Sequence, residues 1–458
     1  MGLHLIFLVI YYIIAQLYPG EVVIGAMVVH CVLNLKLYRK NVIRNLDLSM
    51  FYSFGIGIAS IANVLFITKV KTYGVSSLQI YNFIDTRYID DAALIWVMGN
   101  TFVFMGYELF KKVSLPSIAV FFSEKKVLDN IFYIMIAFTV MFYAGYNIDL
   151  SFIAGGFQKI ILLLVSVGIL FYSRLWVTEN NTKYGIYAIS LCVFQTIAAL
   201  YSSYLRLAVI NPVCILFLGY FVGKGDLKIL LTYRAIPFIV IFAVFLQFFQ
   251  ALGGHRAHFI EAFTNGNNEN SSYTYVDADE NKGGTFMDRS SCIAQLTNIV
   301  RLTKEKGGFY GGRASEPLIA ALVPRILWPD KPRIELGSWF ALEIGAGSMG
   351  DNGRVNNSVN MTIPGELYLD FDWYGVFIGC ILWGGLLALF WNSAQFNVSP
   401  FNLTGTLWGG YLLQGAVGAI SDMQVIITLI STYLVFLMIR KITDQYENSR
   451  RRPALEGQ

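Results

Sequence analysis

Apolar runs of about 20 residues, the length that crosses the hydrocarbon core of a bilayer, recur along this chain so densely that they settle its fold class. Candidate spans lie near residues 3–18, 21–36, 49–68, 91–110, 129–146, 152–173, 184–203, 207–223, 235–252, 372–391, 405–420 and 424–439. Backbone groups in lipid must find hydrogen-bond partners within the segment, so spans of this length are helices. The 458 residues are 55% hydrophobic and only 14% charged, against about a quarter charged in soluble domains. The expectation is an all-α polytopic membrane protein with about 12 transmembrane helices and one large, partly helical extracytoplasmic loop.

Basic residues set the expected orientation. Lys36, Arg39, Lys40 and Arg44 follow the second span, and Lys111, Lys112, Lys125 and Lys126 follow the fourth. Arg174 and Lys183 follow the sixth, Lys224, Lys228 and Arg234 the eighth, and Lys441, Arg450, Arg451 and Arg452 the last. The positive-inside rule puts this face in the cytoplasm, with both termini. The apolar stretch from Leu3 to Tyr18 has no basic n-region or small-residue cleavage site, so it reads as a retained first span. The division is N-terminal helices (1–252), a large extracytoplasmic loop (253–371), C-terminal helices (372–440) and a cytoplasmic tail (441–458). Cys31, Cys192, Cys214, Cys292 and Cys380 form no CxxC pair, so they indicate neither a zinc site nor a disulfide framework.

The long loop opens with an Asn-, Ser-, Asp- and Gly-rich stretch, Asn265 to Gly284. After it, Ile293, Leu296, Ile299, Val300 and Leu302 recur at helical spacing. Ser315 to Val323 reads as a second short helix, with Pro317 in its first turn and Pro324 ending it.

Three places carry residues suited to chemistry. Ala321 to Arg333 holds three prolines, which fix the backbone, with the cations Arg325, Lys331 and Arg333 among them and Trp328 as a flat amphipathic face. Arg grips phosphate at two points and Lys acts as a point charge, so a rigid cationic turn suits a diphosphate. The alternative is a structural turn whose charges are solvated or paired with Asp330 and Glu335. Arg206 stands between two nearly continuous apolar runs. A cation there is either functional or snorkels to the interface. Pro364 to Gly375 places Glu366, Asp370 and Asp372 at the entrance to a span. A carboxylate there suits a general base, while Tyr368, Trp373 and Tyr374 also fit an interfacial aromatic belt. His255 and His258 flank Arg256 without a third ligand at metal spacing, so no metal and no cofactor is expected. Nothing resembles a phosphate-binding loop or a nucleic-acid patch.

The strings D-R-S-S at Asp288 to Ser291, V-P-R-I-L-W-P-D-K-P at Val323 to Pro332 and G-E-L-Y-L-D-F-D-W-Y-G-V at Gly365 to Val376 resemble the bacterial oligosaccharide repeat-unit polymerases, the O-antigen (Wzy-type) polymerase family. These motifs cover about 90 residues, and the remainder is similar in span count and loop placement. The resemblance implies a metal-independent membrane glycosyltransferase of the bacterial inner membrane. It would move a growing glycan from undecaprenyl diphosphate to the non-reducing end of a new lipid-linked unit, in O-antigen, capsule or exopolysaccharide synthesis. Its partners would be undecaprenyl-diphosphate-linked oligosaccharide, membrane lipids and a chain-length regulator protein, with no nucleic acid. Carried over to this sequence, Arg206, Arg289 and Arg325 would act on the diphosphate and Glu366 as general base. Lys331, Arg333, Trp328, Trp339 and His255 would bind substrate. A loose family pattern, Arg followed by ten residues and Gly, occurs at Arg301–Gly312 and Arg354–Gly365. Competing readings are an O-antigen ligase and a flippase or transporter of lipid-linked oligosaccharide.

Overall fold

The computed structural model describes residues 1–17, 19–39, 47–74, 85–122, 124–144, 166–202, 206–224, 291–312, 328, 336–349, 355, 359–406, 408–409, 412, 429–430 and 433–445. Among them the regular structure is helical: α1 (Gly2–Leu17), α2 (Gly20–Arg39), α3 (Leu48–Tyr73), α4 (Ile89–Phe110), α5 (Lys125–Ala144), α6 (166–178), α7 (Thr182–Ser202), α8 (Arg206–Lys224), α9 (Ile293–Glu305), α10 (Leu336–Glu343), α11 (Ile363–Tyr374), α12 (Cys380–Ala394) and α13 (433–445). Four runs among the described residues are long and apolar enough to cross a membrane: Gly20–Leu37, Leu48–Tyr73, Thr86–Phe110 and Ile363–Ala394. The predicted span 235–252 and the predicted helix 315–323 lie outside the described residues.

The element ends have local causes. Pro19 and Gly20 break α1 from α2, and the Gly20 N–H donates to Asp90 Oδ1 (2.6 Å) at the start of α4. Asp47 caps α3 by accepting from the Ser49 N–H, which satisfies a donor that no helical carbonyl can reach. At the other end of α3, Gly74 (φ 75°) donates back to the Val70 carbonyl.

Helix α4 is the central post, packed by α1, α2, α9, α11 and α12. Its contact with α12 is backbone against backbone. A Cβ on Gly384 would run into the Val103 carbonyl, and one on Gly106 into the Ile381 carbonyl. Small residues that let backbones meet are the usual way to associate helices in lipid, where no hydrophobic force separates helix from solvent. Buried polar pairs add to this. Trp96 Nε1 donates to Ser60 Oγ (3.0 Å), and Tyr52 OH donates to Asn100 Oδ1 (2.7 Å). Between α1 and α2, His30 bonds both His4 (2.6 Å) and Tyr11 (2.8 Å), with His4 stacked on Phe104 of α4.

The run Ile363–Ala394 is not one straight helix. Phe371 (φ −136°, ψ 16°) and Asp372 (φ 58°, ψ −153°) leave helical geometry, and the chain turns back on itself there. In a continuous helix Leu367 and Gly379 would be about 18 Å apart. Here a Cβ on Gly379 would meet Leu367 Cδ2 at 2.6 Å, and one on Gly99 would touch both Pro364 (2.5 Å) and Val376 (3.5 Å). Residues 363–370 therefore form a short arm, and the return arm descends along α4 through a π-helical turn (Gly375–Gly379) into α12. Residues 373–394 are about 33 Å long at helical rise, still enough to span.

At the far end of the bundle, where α4 and α12 finish, the extended segment 113–122 is clasped by the chain that follows α12. Ile118 N–H donates to the Ser393 carbonyl, Phe122 N–H to that of Phe401, and Leu403 N–H to that of Val120. Thr404 Oγ1 accepts from Val120 N–H and donates to the Ile118 carbonyl. Tyr433 and Arg440 of α13 donate to the carbonyls of Pro116 and Ser117.

The folded-back hairpin predicts a cross-link. In the double variant Leu367→Cys, Gly379→Cys, mild oxidation should join the two new thiols, seen as a linked peptide by mass spectrometry. A straight helix over 363–394 would give none, since a disulfide needs Cα atoms within about 7 Å.

Candidate active site in two helices sunk into the bundle

The segment expected to form an outer loop enters the bundle. The apolar periodicity read at Ile293, Leu296, Ile299, Val300 and Leu302 is a helix, α9, and all five residues are buried. Its N-terminal end is held by Asn63 in the middle of α3, about 15 Å from the end of that helix at roughly 1.5 Å per residue. Asn63 Oδ1 accepts from the Cys292 N–H (2.9 Å) and from Ser291 Oγ (3.0 Å). Asn63 thus supplies from another helix the cap that α9 lacks, since Cys292 makes no side-chain cap bond of its own. The other end of α9 reaches the bundle rim, where Lys304 pairs with Asp91 (2.7 Å) at the head of α4.

The short arm of α11 lies beside it. Gly365 is required by contact, because a Cβ there would meet Ile299 Cδ1 (2.6 Å) and Leu296 Cδ2 (2.9 Å). Thr362 caps the arm through Oγ1, which accepts from the Gly365 N–H (3.3 Å). The start of the arm rests on Gly99, about 15 Å down α4 from Ile89. Glu366 stands in its first turn, 2% exposed, and Asp370 one turn on, 1% exposed. At this spacing two side chains share one face. Both ends of the arm are strained: Thr362 (φ 64°, ψ 151°) and Asp372 (φ 58°, ψ −153°) occupy a region almost reserved for glycine. Strain of this kind costs about 1–3 kcal/mol per residue and collects at working sites.

The chain after α9 closes over the rim end of the arm. Tyr310 N–H donates to the Leu369 carbonyl and Gly311 N–H to that of Asp370 (3.0 Å each), satisfying acceptors that a broken helix leaves open. Gly311 (φ 64°) and Gly312 (φ 93°) allow that turn. An aromatic and cationic surface assembles there. Tyr310 meets Trp339 of α10 edge to face (5.5 Å), and Tyr368 meets Phe309 (5.6 Å) and Trp373 (5.8 Å) likewise. Lys306 Nζ lies 4.1 Å from the Tyr310 ring centre and 3.5 Å from Glu343. Tyr310 first, then Glu343, hold its pKa above the usual lysine value, so the cation persists at neutral pH. Arg301 faces Glu305 at 4.0 Å, and its buried Nε has no hydrogen-bond partner among the described residues.

Of the residues selected from sequence, Glu366 and Trp339 fall in this assembly, joined through Tyr310 and the end of the short arm. Trp328 is 42% exposed. Arg206 opens α8, and its side chain lies outside the described residues. Arg289, Arg325, Lys331, Arg333 and His255 also lie outside them. Asp370 was named from sequence among the carboxylates at the span entrance and Arg301 in the Arg-to-Gly pattern, neither with an assigned role, and Asn63 was not selected. The spacing from Glu366 points to Asp370 and the Arg-to-Gly pattern to Arg301, whereas nothing local marks Asn63 among the residues of a span.

A family model described as Domain of unknown function (DUF8712) matches residues 87–421. No curated protein and no solved structure matches. The matched stretch includes α4, α9, the α11–α12 hairpin and the far-end clasp, and excludes α1 to α3 with Asn63.

Asn63→Leu should lower stability in detergent by about 2–3 kcal/mol, because it strands buried donors. It should also expose Cys292 to alkylation by N-ethylmaleimide, read by peptide mass spectrometry. An unchanged melting temperature with Cys292 still protected would remove Asn63 as the anchor. Asp372→Gly should raise stability by about 1 kcal/mol through relief of strain, and a fall on thermal unfolding would show that the Asp372 side chain outweighs it.

Proposed function

This chain belongs to the DUF8712 family, and we propose that it polymerises lipid-linked oligosaccharide repeat units in the bacterial inner membrane. The observation that carries the proposal is the buried carboxylate Glu366, on a short arm strained at both ends and one turn from a surface of Tyr310, Trp339 and Lys306. In this reading the bundle has about twelve spans, its rim faces the periplasm, and both termini are cytoplasmic.

The reaction joins a hydroxyl of the incoming unit to the anomeric carbon of the glycan carried on undecaprenyl diphosphate. The new C–O bond forms as the bond to diphosphate breaks, and the hydroxyl proton passes to Glu366. Negative charge grows on the departing diphosphate, and fixed cations aimed at it lower the barrier. Arg206, Arg289, Arg325 and Lys331 are the cations assigned to this task. Trp339 and Tyr310 offer aromatic faces to sugar rings, with Trp328, Arg333 and His255 as further substrate contacts. A chain-length regulator is the expected protein partner.

A second reading is favoured by one observation. Broken helices ending inside a bundle next to buried carboxylates are also how transporters hold ions and substrates. A flippase for lipid-linked sugars would use the same features. The O-antigen ligase has no such observation in its favour.

Glu366→Gln keeps size and removes the base. Loss of a general base costs about 10²–10⁴-fold in rate, so a strain carrying this variant should lose long polymer. Single repeat units should still reach the surface, with protein levels unchanged on immunoblot. Absence of even single units, with lipid-linked repeats accumulating inside, would replace the polymerase with the flippase. Unchanged polymer would remove Glu366 as the base.

A further inference from the structure

Arg174 belongs to the cations that mark one membrane face in the sequence, yet its side chain is folded away. It is 6% exposed, one turn before the end of α6. Nη1 donates to the Phe396 carbonyl (2.8 Å) and to Thr406 Oγ1 (3.4 Å). The Phe396 ring lies over the guanidinium, 4.7 Å from its carbon. Helix α8 closes in behind, where a Cβ on Gly223 would meet the Arg174 carbonyl at 2.9 Å. The guanidinium plane is thus fixed by a ring and one nitrogen is pinned.

The remainder of the group is unanswered. Among the described residues no carboxylate pairs with Arg174, and Nε and Nη2 make no hydrogen bond. Those two nitrogens form one edge of the guanidinium, and that geometry grips two oxygens of a carboxylate or phosphate at once. A buried cation without an anion is strongly destabilising. The bland role, a clasp on the chain after α12, uses Nη1 alone and does not account for the charge.

The surroundings are those of a membrane face. Trp176, two residues on, meets Tyr220 edge to face (5.7 Å), and Lys224 at the end of α8 lies over the Tyr220 ring (5.1 Å). Trp and Tyr collect at bilayer interfaces, and basic pockets between helices on the cytoplasmic side hold anionic headgroups.

We propose that Arg174 is an anion site that takes a phosphate group through its Nε–Nη2 edge, at the end of the bundle opposite the candidate active site. The phosphate comes either from an anionic phospholipid headgroup or from solution. This site does not depend on the polymerase reading.

The test uses the full chain in nanodiscs of phosphatidylcholine, with or without phosphatidylglycerol, followed by thermal unfolding. Native mass spectrometry after detergent release counts retained lipid. Wild type should retain phosphatidylglycerol over phosphatidylcholine by about tenfold, the preference worth one charge-assisted contact, and should melt higher in the anionic discs. Arg174→Lys keeps the charge, loses the fork and should lose most of that preference. In a third arm, millimolar inorganic phosphate is added to phosphatidylcholine discs. A rise in melting temperature as large as that from phosphatidylglycerol, absent in Arg174→Lys, upholds the site with a soluble anion as its ligand. The proposal is overturned if wild type responds to neither source, or if Arg174→Lys responds as wild type does. Should that variant not fold, photoactivatable phosphatidylglycerol is cross-linked to wild type. Labels on 170–178 or 396–406 support the site, and labels only elsewhere overturn it.

Discussion

Gly99 carries the contact on which the site depends. Both arms of the α11–α12 hairpin touch α4 there, Pro364 from the rising arm and Val376 from the descending one. No residue with a side chain leaves room for both. From that point the rest follows by contact. The rising arm holds Glu366 and Asp370 and packs through Gly365 on α9, and the descending arm meets α4 again at Gly106 and Gly384. A helix that ends inside a bundle leaves amide and carbonyl groups open, and in a dry interior these must be met by protein. Asn63 meets those of α9, Thr362 meets those at the start of the arm, and Tyr310 and Gly311 supply donors at its rim end.

The two ends of the bundle are built for different tasks. At the rim, carboxylates are buried on a strained arm under aromatic rings and lysines. At the far end, backbone pairs with backbone, as in the bonds of 113–122 with the chain after α12. The charge of Arg174 there is stacked and pinned rather than solvated. A rigid end and a strained end joined by the glycine-lined α4–α12 seam give a frame in which small shifts at the rim need not disturb the base.

Much of this was legible. The apolar runs read as spans became the helices α1 to α4, α7 and α8, of which α2, α3 and α4 are long and apolar enough to cross a membrane, and α9 follows from the spacing of Ile293, Leu296, Ile299, Val300 and Leu302. Glu366 was legible as a carboxylate at a span entrance. The burial of α9 was not, because its polar residues read as a wet face. Thr297, Asn298 Nδ2 and Thr303 instead donate back to carbonyls of their own helix, which lowers the cost of burying them. The hairpin was not legible either. G-E-L-Y-L-D-F-D-W-Y-G contains no proline or paired glycine at the turn, and the chain reverses at an aspartate whose backbone angles only tertiary packing can enforce. The burial of Arg174 was not legible for a related reason: charge counting assigns a side of the membrane but not a burial.

The clasp and the Asn63 anchor also set an order of assembly. Cys292 lies 229 residues after the Asn63 that holds it, and Thr404 lies 284 after Val120. Chains emerge from the ribosome N-terminus first, at about 5–20 residues per second. The first four helices are therefore in place for tens of seconds, by that rate, before their partners exist. During that interval Asn63 and the carbonyls of 116–120 are open groups in a half-built bundle. Contacts this remote in sequence form late and slowly. Only when the last third of the chain arrives are these groups covered, so both ends of the bundle close last.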